Sequence, residues 1–65
     1  MRVEINGTPH DLSADATVAD ALGAIDAPER GVAVAVDGTV VRRAHWGTPL
    51  HEGAAVEVLT AVQGG

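Results

Sequence analysis

The stretch Val32-Ala33-Val34-Ala35-Val36-Asp37-Gly38-Thr39-Val40-Val41 decides the fold. Valine alternates with alanine over five residues, so one face of an extended segment is bulky and the other small. Asp-Gly follows at once. A two-residue type I′ turn needs positive φ at both central positions, which Asp-Gly tolerates, so the chain is predicted to reverse and return through Thr39-Val40-Val41. A β-hairpin whose valine face needs a covering layer is the outcome.

That layer lies just upstream. Val18, Ala21, Leu22 and Ile25 fall at i, i+3, i+4 and i+7, one apolar stripe at helical spacing. Thr17 is placed to cap the start, and Asp20, three residues on, can reach back to the free amides. Gly23 weakens the helix interior, and Pro28 is expected to end a helix of about nine residues. Further upstream, Arg2-Val3-Glu4-Ile5 alternates with period two into Asn6-Gly7, a second hairpin signal. Thr8 to Leu12 then returns, with Pro9 assigning that strand to a sheet edge.

Downstream, Arg43 to Trp46 reads as a short helical turn, with Trp46 covering an open end of the core. Gly47, Pro49 and Gly53 punctuate a loop anchored by Leu50. Val56-Glu57-Val58, continuing through Leu59, Thr60 and Ala61, is the last strand. Hairpin, helix, hairpin and a final strand beside the first, parallel to it through a right-handed crossover, specify an α+β fold. The expected architecture is a β-grasp: a mixed four- to five-stranded sheet with one helix packed on one face. Residues 1–61 are expected to form that domain, and residues 62–65 a flexible C-terminal Gly-Gly tail.

Composition narrows the function. Sixty-five residues make one small domain. Ten Val, four Leu, two Ile, one Met and one Trp supply the bulk of its core, with no Phe or Tyr. With no Cys, disulfides, thiolate metal sites and thiol catalysis are excluded, and the chain reads as cytoplasmic. Four Arg and no Lys against nine acidic residues give a net charge of −5, which argues against nucleic acid and favours partners with basic surfaces. No run of apolar residues is long enough for a membrane span.

No constellation of catalytic residues stands out. His10, His45 and His51 lack metal-ligand spacing and read as solvated side chains. Ser13, the sole serine, precedes the helix, where a turn or capping role suits it. Asp11, Asp15 and Asp20 gather at the helix start, where the macrodipole favours anions. The chain ends in Gly64-Gly65. A terminal glycine presents its α-carboxylate without a side chain, and the five residues from Ala61 can reach about 17 Å beyond the strand. Such a carboxylate, with a pKa of about 3.3–3.7, is ionised and inert to nucleophiles at neutral pH until activated.

These features together resemble the ThiS family of sulfur carrier proteins for thiamine biosynthesis, which are ubiquitin-like. The resemblance rests on Thr17-Val18-Ala19-Asp20, Val34-Ala35-Val36-Asp37-Gly38, Val40-Val41, Arg43, Trp46, Leu50, Gly53 and Val56-Glu57-Val58. It ends with Ala61-Val62-Gln63-Gly64-Gly65. The family often has Pro where Arg42 stands and Asp where Ala54 stands.

The resemblance implies that Gly65 is adenylated by a ThiF-like enzyme using ATP, then converted to a thiocarboxylate by sulfur from a persulfide, such as that of a cysteine desulfurase. The sulfur would pass to a ThiG-like thiazole synthase. Gly64 would let the tail thread a partner's channel, which would read Gln63 and Val62. The protein would be a co-substrate, with no bound cofactor or metal. Ala33, Ala35, Leu59 and Ala61, on the sheet face away from the helix, are expected to form a partner-binding patch. Asp37, Glu52 and Glu57 would steer docking. Two alternatives stay open: the small subunit of molybdopterin synthase or another ubiquitin-like sulfur carrier, and a non-catalytic β-grasp interaction module.

Overall fold

A computed structural model describes residues 1–28 and 30–60. Among them are five strands, β1 (Arg2–Ile5), β2 (Thr8–Asp11), β3 (Val32–Val36), β4 (Thr39–Val41) and β5 (Ala55–Thr60). One helix, α1 (Val18–Ala24), and a 3-10 turn at Arg43–His45 complete the elements. The strands form one mixed sheet in the order β2-β1-β5-β3-β4. Both hairpins are antiparallel, β5 runs antiparallel to β3, and β1 pairs with β5 in parallel. This is the β-grasp arrangement expected from the element order.

Turn chemistry behaves as the sequence demands. Asn6 and Gly7 have φ of 53° and 82°, and Asp37 and Gly38 have 51° and 84°. Positive φ at both central residues sets a type I′ turn, whose twist matches that of the strands it joins. The turns fix the registers Ile5↔Thr8 and Val36↔Thr39. Pro9 indeed lies on an edge strand.

The core is aliphatic and sits between one sheet face and α1. Val3, Ile5, Val18, Ala21, Leu22, Val34, Leu50, Ala54, Val56 and Val58 pack as one cluster. Trp46, half-buried, closes one side of it, and its Nε1–H donates to the Val41 carbonyl at 3.2 Å. Leu50 is buried as expected. Ala54 is fully buried, so a side chain larger than methyl has no room there without rearrangement. Arg42 has φ −68°, a value proline also adopts.

The start of α1 is fully furnished. Thr17 Oγ1 accepts the Asp20 N–H at 3.3 Å, and the Asp20 carboxylate accepts the Thr17 N–H at 2.8 Å, a reciprocal capping box. The Val18 and Ala19 amides donate to the Thr48 and Trp46 carbonyls, so the loop before Leu50 docks on the helix end. The helix is shorter than expected, seven residues, and Pro28 does not end it. Asp26 does, with φ 54°. Its N–H reaches the Gly23 carbonyl and that of Ala27 reaches Leu22, the paired bonds of a Schellman motif with Asp in the usual glycine position.

Candidate functional site

Strand β5 is the element from which the C-terminal residues continue. It lies in the middle of the sheet, with β1 on one edge and β3 on the other. The tail residues of interest, Val62, Gln63, Gly64 and Gly65, and the patch residue Ala61, lie outside the described residues. What can be described is the platform that ends at Thr60.

Alternation along β5 buries Val56 and Val58 against α1 and turns Glu57 and Leu59 to the opposite face. There the register sets Ala33 beside Leu59 and Ala35 beside Glu57. Ala33 is exposed, Ala35 is half-buried, and Leu59 is 68% exposed. Three of the four expected patch residues therefore share one surface. Strand β4 adds a member missed in the sequence: Val40 stands opposite Ala35 and is 72% exposed. Val40 and Leu59 are the two large hydrophobic side chains most open to solvent among the described residues. The Asp37-Gly38 turn carried the signal, since a two-residue turn pairs Val36 with Thr39 and hence Ala35 with Val40.

The small alanines between them have a physical consequence. They leave the middle of the face low and flat, with a valine and a leucine standing at its margins, a shape that accommodates a second apolar surface. Of the acidic residues expected to steer docking, Glu57 is exposed within this face. The other two have structural duties. Asp37 Oδ1 accepts the Ala55 N–H at 2.9 Å, and its Oδ2 meets His51 Nε2. The Glu52 carboxylate accepts the Arg2 N–H, 3.2 Å from each oxygen.

His51 is exposed, as expected, but both of its ring nitrogens have partners. The hydrogen bond to Asp37 chiefly, helped by the Glu52 carbonyl, raises its pKa above the ordinary value. The Asp37 pKa is lowered, first by the Ala55 N–H and then by His51. His10 lies on β2 opposite Val3, and His45 belongs to the 3-10 turn, so the three histidines belong to different elements. Among the described residues no group of three or more His, Cys, Asp or Glu side chains could hold a metal ion.

Asn6, a turn former by its sequence, has a second role through its side chain. Its Oδ1 accepts the Val58 N–H at 2.8 Å, and its Nδ2 donates to the Val58 carbonyl at 3.2 Å. The amide stands in for a further residue of β1 and continues the parallel ladder along β5. A groove of about 230 Å³ lies on the helix side, walled by Leu22, Ala27, Pro28 and Trp46. The Arg43 guanidinium sits 5.8 Å from the Trp46 ring centre at its margin.

The family model described as the ThiS family matches residues 3–65, through the Gly-Gly end. The chain belongs to the ThiS family. A crystal structure of the thiamine biosynthesis protein ThiS from Geobacter metallireducens is similar over the whole of both chains, with a TM-score of 0.78 at 28% identity. A solution structure of a thiamine biosynthesis protein from the same organism has the same TM-score at 30% identity, covering this chain entirely and 88% of the other. No curated protein matches. No helix among the described residues is long and apolar enough to cross a membrane.

Proposed function

We propose that this chain is a sulfur carrier whose Gly65 carboxylate is adenylated and then converted to a thiocarboxylate that supplies sulfur for the thiazole of thiamine. The observation that bears most weight is the family match, which extends to Gly65. The likeness to thiamine biosynthesis proteins from Geobacter metallireducens supports this pathway.

The chemistry follows from the terminal group. A carboxylate is a poor electrophile because its negative charge opposes attack and oxide is a poor leaving group. Joining it to AMP, at the expense of ATP, supplies the leaving group. A persulfide sulfur can then displace AMP at the Gly65 carbonyl, giving an acyl disulfide, and a second thiol cleaves its S–S bond to leave the thiocarboxylate and a disulfide on the donor. Neither Gly64 nor Gly65 has a side chain, so a narrow channel in a ThiF-like adenylating enzyme or a ThiG-like thiazole synthase can admit the end of the chain, with Gln63 and Val62 behind it. ATP belongs to the activating partner, and this protein acts as co-substrate in a cytoplasmic pathway. Val40, Ala35, Ala33 and Leu59 supply the flat apolar surface on which those enzymes dock, with Glu57 facing basic groups.

The direct measurement is intact mass after incubation with a ThiF-like enzyme, ATP and a persulfide donor. Replacement of oxygen by sulfur adds about 16 Da. The gain is expected for the intact chain and is expected to vanish when Gly65 is deleted. Retained activity of a chain extended by a tag beyond Gly65 would instead favour a plain interaction module.

A further inference from the structure

His51 stands between two acceptors. Its Nε2 meets the Asp37 carboxylate on the β3–β4 turn, and its Nδ1 lies 2.9 Å from the Glu52 carbonyl oxygen. A neutral imidazole has one N–H and can donate to only one of them, whereas the imidazolium donates to both. Asp37 is also joined to the beginning of β5 twice. Its N–H donates to the Ala55 carbonyl at 2.8 Å, and its Oδ1 accepts the Ala55 N–H at 2.9 Å. A single proton on His51 therefore links the 51–54 loop, the β3–β4 turn and the first residue of the central strand.

We propose that His51 is a proton-operated clip, closed as the imidazolium and half-open as the neutral ring, which fixes the β3–β4 turn and the 51–54 loop against the start of β5. Asp37 comes from the turn, and Glu52 from the loop, its carboxylate held by the Arg2 N–H. On the neighbouring strands, Glu4 of β1 stands opposite Ala55, and β1 and β2 carry the exposed Arg2–Asp11 pair at 3.4 Å. The Asp37 carboxylate on one ring nitrogen and the Glu52 carbonyl on the other both favour its charged form.

The direction with pH follows. His51 has its pKa raised above 6.5, so its contribution is complete below 6.5 and is lost as pH rises through the raised midpoint. Asp37 has its pKa lowered below 3.8, so its contribution is complete above 3.8 and is lost as pH falls through the lowered midpoint. The clip is closed between those limits and opens on the alkaline side. Opening removes one positive charge from beside Asp37, so this end of the molecule becomes more acidic as the loop loosens.

The test is a pH titration of the full chain followed by NMR, reading the His51 ring nitrogens and the Ala55 backbone amide. His51 is expected to titrate above 6.5, and the Ala55 amide to shift with the same midpoint. Asp37→Asn keeps an Asn-Gly turn and an oxygen acceptor for Ala55 while removing the charge. In that variant the His51 midpoint is expected to fall back toward 6.5 and the Ala55 response to disappear. His51→Gln, which cannot take up a proton, is expected to leave the Ala55 amide flat from about pH 5 to 9. A His51 midpoint at or below 6.5 in the parent chain, or an Ala55 amide indifferent to it, overturns the proposal.

Discussion

Asn6 illustrates how much one side chain does in a domain of 65 residues. It occupies a left-handed position in the first turn, and its amide satisfies both backbone groups of Val58. A buried or half-buried peptide group left without a partner costs about 1–3 kcal/mol. Asn6→Gly keeps the backbone freedom and deletes the amide, so it separates the two roles. It is expected to lower stability by about 1–3 kcal/mol in urea denaturation, and to speed hydrogen exchange at Val58 above all other β5 amides. Asn-Gly gave the turn from local chemistry alone. The bond to Val58 spans 52 residues and depends on the parallel placement of β5, which no local pattern encodes. His51 and Asp37 were opaque for the same reason: they are 14 residues apart and meet only once β5 has been laid beside β3.

Elements were more legible than single contacts, because periodicity and capping are local. The Val32–Val36 alternation, the capping box at Thr17 and Asp20, and the Pro9 edge all appear where the residues called for them. The end of α1 did not. Proline is the terminator that the pattern suggests, but the chain leaves the helix two residues earlier than Pro28 through the positive φ of Asp26. An aspartate there gives little warning, since glycine and asparagine are the usual residues at that position. Gly23 lies inside α1 with no neighbouring atom within 4 Å of where a Cβ would stand. Gly23→Ala is therefore expected to stabilise the domain by about 0.5–1 kcal/mol, through reduced freedom of the unfolded chain. A higher thermal midpoint with an unchanged NMR spectrum elsewhere would be the sign of it. No gain, or a loss, would mean that the methyl disturbs the Leu22 and Trp46 side of the helix.

Across the whole molecule, the two sheet faces divide the work. One is buried under α1, and the other presents Val40, Ala35, Ala33, Glu57 and Leu59. The candidate surface was three-quarters readable from alternation, and Val40 entered only with the turn register. Because Val40 and Leu59 contribute almost nothing to the core, paired changes to aspartate at both are expected to leave the thermal midpoint nearly unchanged. The same pair is expected to reduce the kcat/KM of adenylation by about tenfold or more, equivalent to about 1.4 kcal/mol of docking energy. Steady-state assay with a ThiF-like enzyme, alongside circular dichroism melting, distinguishes lost docking from lost folding. An unaltered rate would place the contact surface elsewhere, for instance beside Trp46.

The central position of β5 has a mechanical corollary. An edge strand tugged at its end unzips one hydrogen bond at a time. A pull applied at Thr60 along the strand instead loads the ladders to β1 and β3 in shear, many bonds together. A partner that grips the end of this chain and draws it inward would thus strain its own grip before it unravelled the body behind.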